Sequence, residues 1–160
     1  MIVVSNSTIL IGLAKIGKLD LLKEIFSKVF IPEEVFKEVV EMGKDKPGSK
    51  FTKEAAWIKT RRVKDNTQVS FLLGSLEKGE AEALVLAREL GADLILLDKE
   101  KARKSAVIAG FEIMGLLGLF MLAKNLGLID EVRPLVDELR MKKFRVSDRI
   151  VSETLKRAAE

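Results

Sequence analysis

Four polar residues occupy positions where apolar runs end or helical patterns begin, and each side chain carries oxygen. They are Asn6, Glu38, Glu80 and Asp98. Three carboxylates and one carboxamide, brought together from distant segments, could hold a divalent metal against a phosphate. The first position is unusual, because Asn6 is an amide where a hard metal ion would prefer a carboxylate.

The amino-acid composition limits the chemistry that is available. The chain has 160 residues, 48% hydrophobic and 32% charged, with no Cys and no His. This length predicts one compact domain over residues 1–160, and the composition excludes disulfide bonds and catalysis by thiol or imidazole groups. We expect a soluble, cytoplasmic protein, because the longest apolar run, residues 115–123, is about half as long as a membrane-spanning helix.

Positive charge is concentrated in two short stretches, although the formal net charge is only +4. The first stretch contains Lys59, Arg61, Arg62 and Lys64, and the second contains Lys99, Lys101, Arg103 and Lys104. Such clusters are typical of proteins that bind a polyanion. Charge alone does not distinguish this function from solvated charge on an edge strand and a helix.

Short apolar runs alternate with helical periodicity along the whole chain. Strands are predicted over residues 2–4, 29–31, 58–63, 93–97 and 111–114, and a loop over 42–50. Helices are predicted over residues 8–16, 19–26, 32–41, 53–57, 69–76, 80–90, from about 99 to 109, 116–125, 131–141 and 148–158. Strands separated by helices indicate an α/β fold, a three-layer α/β/α sandwich with a parallel sheet of about five strands. The helices from about residue 130 should pack on this domain.

Ligands of such sheets bind beyond the carboxyl ends of the strands, near the point where strand order reverses. Asn6 and Asp98 each follow a predicted strand at that end. Asp98 could instead cap the next helix. Three serine and threonine hydroxyls beside Asn6 could orient a ligand or, more simply, cap the first helix; they belong to Ser5, Ser7 and Thr8.

The two glutamates have structural interpretations as well as chemical ones. Glu80 begins a helix and shares its apolar stripe, so it should face the protein, yet it could simply complement the helix dipole. Glu82 points away from that stripe. Glu38 has three acidic rivals on its own helix, and periodicity does not select among them; these are Glu33, Glu34 and Glu41.

Four segments together resemble the PIN-domain superfamily, in particular its small prokaryotic VapC-like branch. They are VVSNSTILIGLAKIGKLDLLKEIF, VFIPEEVFKEVV, LEKGEAEALVLARELGADLILLDKEKARK and GLLGLFMLAKNLGLIDEVRPLVDELR. The resemblance covers nearly the whole chain. It implies a parallel sheet of about five strands between helices and a metal-dependent endoribonuclease, often the toxin of a toxin-antitoxin pair.

The resemblance also implies which residues do the chemistry. The family's acids fall on Asn6, Glu38, Glu80 and Asp98 as catalytic, metal-binding positions, with Glu100 as a further metal ligand because Lys99 follows Asp98. The implied cofactor is Mg²⁺ or Mn²⁺, which would activate water without a nucleophilic side chain. The two basic stretches noted above would then bind the RNA, through Lys99, Lys101, Arg103, Lys104, Arg61 and Arg62.

Three classes of function are therefore open. The first is a PIN-type endoribonuclease, and the second is a catalytically silent relative that binds RNA or a protein, which Asn6 favours. The third is a nucleotide-binding module of flavodoxin type, weakened because no glycine-rich loop follows the first strand.

Two kinds of protein partner are expected. The resemblance implies an antitoxin protein. The apolar run at residues 115–123 or the C-terminal helices could also form a homodimer interface, although a helix buried within its own subunit would explain the same run.

Overall fold

A computed structural model describes residues 1–46 and 48–160, so Pro47, within the predicted loop, lies outside the described residues. Five parallel strands form one sheet with the order β3-β2-β1-β4-β5. They are β1 (Val3–Ser5), β2 (Val29–Pro32), β3 (Ile58–Arg61), β4 (Leu94–Leu96) and β5 (Ile113–Met114). The predicted five-stranded parallel sheet is confirmed.

Ten α-helices lie within the described residues. They are α1 (Ser7–Lys15), α2 (Asp20–Phe26), α3 (Glu33–Phe36), α4 (Ser49–Glu54), α5 (Asn66–Leu72), α6 (Lys78–Leu90), α7 (Glu100–Ile108), α8 (Leu116–Asn125), α9 (Arg133–Met141) and α10 (Asp148–Arg157). A π-helical turn, Lys37–Glu41, continues α3. Across the described ranges, no helix combines the length and apolarity needed to cross a bilayer.

Alternate residues of the central strands enter two separate cores, one on each face of the sheet. Val3 and Leu96 belong to the core that α1, α2, α8, α9 and α10 cover. Val4 and Ile95 belong to the core that α5, α6 and α7 cover. This alternation follows from the two-residue period of a strand, and it produces the predicted three-layer sandwich.

The apolar helix α8 is covered by its own chain. Leu119, Phe120 and Ala123 are fully buried among side chains from α1, α9 and α10. An all-round apolar helix is expected when the helix is internal. The reason for placing a homodimer interface on residues 115–123 is therefore wrong, and the homodimer itself stays a prediction.

Helix boundaries differ from the prediction where a local cap decides them. Asp65 accepts a hydrogen bond from the Gln68 N–H at 3.1 Å, so α5 begins at Asn66, three residues earlier than predicted. Helix α4 begins at Ser49 inside the predicted loop and ends at Glu54, which leaves Trp57 in the turn before β3. Caps depend on single side chains, which apolar periodicity does not report.

Glu160 connects the end of the chain to α8 and α9. Its carboxylate accepts hydrogen bonds from the Val132 N–H at 2.8 Å, the Arg133 N–H at 2.9 Å and the Lys124 ammonium at 2.9 Å. Burial alone would raise the pKa of Glu160, but the hydrogen bonds from Val132, Arg133 and Lys124 lower it to about 2. The ionised carboxylate therefore stabilises the folded state.

We predict that Glu160→Gln lowers the melting temperature at pH 7 by about 3–6 °C, because the charged acceptor is lost. The pKa of Glu160 is lowered from 4.5 to about 2, so its contribution is complete above about pH 4.5 and disappears as the pH falls through about 2. Thermal melts across this range should show the two proteins converging in acid. Glu131→Gln, at an exposed glutamate nearby, is the control and should melt like the native protein. Equal melting temperatures of the native protein and Glu160→Gln at pH 7 would contradict the prediction.

Candidate active site

The two central strands bring Asn6 and Asp98 to the same edge of the sheet. Ser5 pairs with Leu96, and the Asn6 N–H donates to the Leu96 carbonyl at 3.2 Å. Strand β1 is followed by β2 on one side and lies beside β4 on the other, so strand order reverses between β1 and β4. The crevice beyond their carboxyl ends is where open α/β sheets bind ligands.

Asn6 is the N-cap of α1, and this role fixes the orientation of its amide. Its Oδ1 accepts a hydrogen bond from the Ile9 N–H at 3.2 Å, and the residue is 1% exposed. Its Nδ2 is buried and has no hydrogen-bond partner among the described residues. Asn6 therefore presents N–H donors, and not its carbonyl oxygen, to any ligand. The expectation that a serine or threonine hydroxyl caps this helix was wrong.

Glu38 is held beside Asn6 by the residue that follows Asn6. The Ser7 hydroxyl donates to Glu38 Oε2 at 2.7 Å. The other oxygen, Oε1, lies against Gly79, where any Cβ would overlap it. Burial raises the pKa of Glu38; the Ser7 hydrogen bond opposes this shift, and the charges of Glu34 and Glu77 reinforce it.

The π-helical turn explains why periodicity did not select Glu38. The Met42 N–H bonds to the carbonyl of Lys37, five residues earlier, so the turn contains one residue more than an α-helical turn. Val39 and Val40 remain buried in or beside the core, while Glu38 reaches Ser7. Turns of this kind occur frequently at functional sites.

Glu80 has the structural role that the sequence suggested, and one of its carboxylate oxygens is left without a partner in the described part of the chain. Its Oε1 accepts a hydrogen bond from the Glu77 N–H at 3.1 Å, as part of a reciprocal capping box at the start of α6. Its Oε2 is buried and has no hydrogen-bond partner within the described ranges. One oxygen therefore stabilises the helix, and the other is buried without a partner among those residues.

Asp98 caps α8, whereas the sequence suggested that it could cap α7, the helix that directly follows it. Its Oδ1 accepts a hydrogen bond from the Leu116 N–H at the start of α8, at 3.2 Å. Burial raises the pKa of Asp98, whereas the Leu116 hydrogen bond and the Arg103 charge oppose the shift. Gly115 permits this packing, because a Cβ there would lie 2.8 Å from Arg103 Nη1 and 3.0 Å from Asp98 Oδ1.

Lys99 contributes a positive charge to this acidic group. Its ammonium nitrogen lies 3.0 Å from Glu77 Oε2. Burial alone would lower the pKa of Lys99, but the Glu77 hydrogen bond and the charges of Glu80 and Glu38 raise it. A cation of the protein therefore interacts with Glu38 and Glu80, two of the carboxylates that the sequence predicts as metal ligands.

The carboxylate oxygens of this group are ligands that a hard cation prefers. Glu38 and Glu80 each have one oxygen that takes no part in the hydrogen bonds described above. The arrangement is not a closed cage. Over residues 1–46 and 48–160, no three acidic side chains lie close enough together to hold a metal ion. Binding of a metal would therefore require side-chain movement.

The remaining predicted residues lie outside this group of acidic side chains. Glu100 is 83% exposed and pairs with Lys104 at 3.3 Å, which is an ordinary surface pair along α7. Lys101 is exposed on the same helix. Arg61 and Arg62 are at the end of β3, two strands away from β1, and Arg61 stacks over Phe30 at 5.4 Å.

Three contacts that shape the site were not predicted from the sequence. Ser7 donates a hydrogen bond to Glu38, Glu77 pairs with Lys99, and Gly79 leaves room for the Glu38 carboxylate. The spacing Glu77-x-x-Glu80 is a capping-box signal that could have identified Glu77. Glu82 was also misjudged. It is buried, and its Oε1 accepts a hydrogen bond from the Glu34 N–H at 3.2 Å, so it caps α3.

A family model for the PIN domain matches residues 2–160. The chain therefore belongs to the PIN-domain family, and the resemblance is confirmed. PIN domains form a nuclease superfamily whose members generally depend on a divalent metal. A comparison with curated proteins gave no match.

We predict that Gly79→Ala displaces the Glu38 side chain while leaving the fold intact. The added methyl overlaps Glu38 Oε1, which is the end of a flexible side chain and can rotate away. A crystal structure of the variant should show Glu38 beyond hydrogen-bond distance of Ser7, with a melting temperature within about 2 °C of the native value. Gly74→Ala, where a Cβ meets open space, is the matched control; an unmoved Glu38 in the Gly79 variant would refute the packing argument.

Proposed function

We propose that this chain is a metal-dependent endoribonuclease of the PIN type. One observation carries the proposal. At the point where strand order reverses, a buried acceptor, Glu80 Oε2, and a buried donor, Asn6 Nδ2, both lack partners among the described residues. Buried polar groups are normally paired. These two unpaired groups therefore favour a bound ligand that has a cation for Glu80 Oε2 and an anionic oxygen for Asn6 Nδ2.

Glu38, Glu80 and Asp98 are the residues that would hold Mg²⁺ or Mn²⁺. A bound ion of this kind supplies activated water and neutralises charge on the phosphate. Ser7 orients Glu38 for this role through the hydrogen bond at 2.7 Å. Glu77 holds the backbone start of α6, and with it Glu80, through the capping box.

Asn6 and Lys99 are suited to bind the phosphate group of an RNA substrate. The Asn6 amide can donate a hydrogen bond to a phosphate oxygen, which a carboxylate at that position cannot do. Lys99 can exchange its pairing with Glu77 for a phosphate, since the carboxylate of Glu77 is 70% exposed and a surface pair is weak.

A catalytically silent, RNA-binding relative is the second candidate, and the same two residues favour it. Asn6 removes one negative charge from the family's acidic set, and Lys99 adds one positive charge beside Glu77. Both changes weaken attraction for a divalent cation. Membership of the PIN family leaves the flavodoxin-type alternative without support.

The proposed partners follow from the same family. RNA would contact the basic face of α7 near Lys99 and Arg103, and an antitoxin protein would control the nuclease. A homodimer would need a surface other than buried α8. The exposed apolar side chains of Phe71 and Ile108 offer one such surface.

Cleavage of mixed RNA by the purified chain tests the proposal. We expect cleavage with Mn²⁺ and none with EDTA, and a loss of about 100-fold or more in Glu80→Gln, because the orphan oxygen becomes part of an amide. Glu100→Gln, at the exposed surface pair, should cleave at the native rate. If Glu80→Gln cleaves like the native chain, the assigned site is wrong, and if no protein cleaves while RNA still binds, the silent relative is correct.

We also predict that Asn6→Asp raises Mn²⁺ affinity about tenfold and increases cleavage, because Asp keeps the cap on α1 while adding a charged ligand. Isothermal titration with Mn²⁺ measures the affinity directly. Asn66→Asp, at an exposed residue, controls for the general effect of one added negative charge. Equal affinity and equal cleavage in the native chain and Asn6→Asp would show that this position is not a weakened metal ligand.

A further inference from the structure

A large cleft opens beside the candidate site and extends to the C-terminal part of the chain. Its volume is about 760 Å³, within the usual range for ligand pockets. Thr8, Asp98 and Lys99 line it next to the candidate site, and several residues between Phe144 and Arg157 line another part of it. Any strand of RNA held at the candidate site would have this cleft next to it.

The polar lining of the cleft is mainly cationic. Four positive side chains face it, against two acidic ones, Asp98 and Glu153; the positive ones are Lys99, Arg103, Arg145 and Arg157. Arg145 and Arg157 are exposed, and neither forms a salt bridge with a described residue. Unpaired arginines suit phosphate, because the guanidinium group offers a planar fork of donors.

The floor of the cleft is apolar. It is lined by Met114, Leu117, Met121, Phe144 and Ile150. Phe144 is only partly buried, although its ring packs over Gly12 of α1. Partly exposed aromatic and aliphatic side chains beside arginines can stack single-stranded bases while the arginines hold the backbone.

We propose that this cleft binds the single-stranded RNA that flanks the cleaved phosphate, with Arg145 and Arg157 on its backbone and Phe144 beside a base. The inference rests on the RNA-binding part of the proposed function. It assigns substrate binding to the C-terminal segment, which the basic clusters of the sequence did not indicate. It also assigns Arg61 and Arg62 no part, because β3 is at the far edge of the sheet.

Binding of a fluorescently labelled single-stranded RNA, measured by anisotropy in EDTA, tests the cleft apart from cleavage. Arg145→Ala/Arg157→Ala should weaken binding about tenfold at moderate salt and reduce the slope of log affinity against log salt by about 1.4, since each lost phosphate contact removes about 0.7. The control, Arg149→Ala/Lys156→Ala, removes two charges from exposed positions on α10 outside the cleft. It should bind like the native chain.

Equal weakening in the two double variants would overturn the proposal, because general charge and not the cleft would then explain binding. Arg145→Lys/Arg157→Lys should keep most of the affinity, which separates loss of charge from loss of folding. Adenosine monophosphate that competes as well as the RNA would also overturn it, since the occupant would then be a free nucleotide.

Crosslinking locates the bases. RNA containing 4-thiouridine should crosslink to the segment around Phe144 and Ile150, as mapped by mass spectrometry. Crosslinks confined to the Arg61 region would overturn the assignment. If the RNA binds and crosslinks as expected but no Mn²⁺-dependent cleavage occurs, the endoribonuclease proposal fails and the cleft assignment stands.

Discussion

The parallel pairing of β1 with β4 is the constraint on which the rest of the site depends. It joins segments more than 90 residues apart, and the register Ser5 to Leu96 places Asn6 and Asp98 beyond neighbouring strand ends. Both strands are fully buried, so each face of the sheet must be covered by helices. Three of the covering helices, α1, α6 and α8, start at this same edge, and their first turns bring Ser7, Glu80 and Leu116 to it.

Asn6 and Glu80 each serve the fold with one polar atom and leave the other unpaired in the part of the chain that the structure describes. Asn6 Oδ1 caps α1 and Glu80 Oε1 caps α6, while the second polar atom of each side chain is buried without a partner among the described residues. A buried unpaired polar group costs about 1–3 kcal/mol. Two such costs at one edge of the sheet are characteristic of a site that a ligand completes.

The sequence predicted the central strands well, because β1, β2 and β4 are fully buried and form short, mainly apolar runs. Asn6 and Asp98 could be placed because each directly follows such a run. Glu38 could not be selected, since a π-helical turn shifts the helix by one residue and breaks the periodicity. The cleft at Arg145 and Arg157 could not be predicted at all, because it depends on how α10 packs against α8, and apolar patterns do not specify that geometry.

We propose above all that a divalent cation binds between Glu38, Glu80 and Asp98 at the carboxyl edge of the sheet. Paramagnetic broadening of backbone amide signals by substoichiometric Mn²⁺, observed by NMR, tests it without relying on catalysis. The account predicts that the signals around Ser7, Gly79, Lys99 and Leu116 broaden first, while signals from the opposite edge of the sheet persist. Broadening confined to exposed acidic positions such as Glu131 and Asp137, or uniform across the chain, would contradict it.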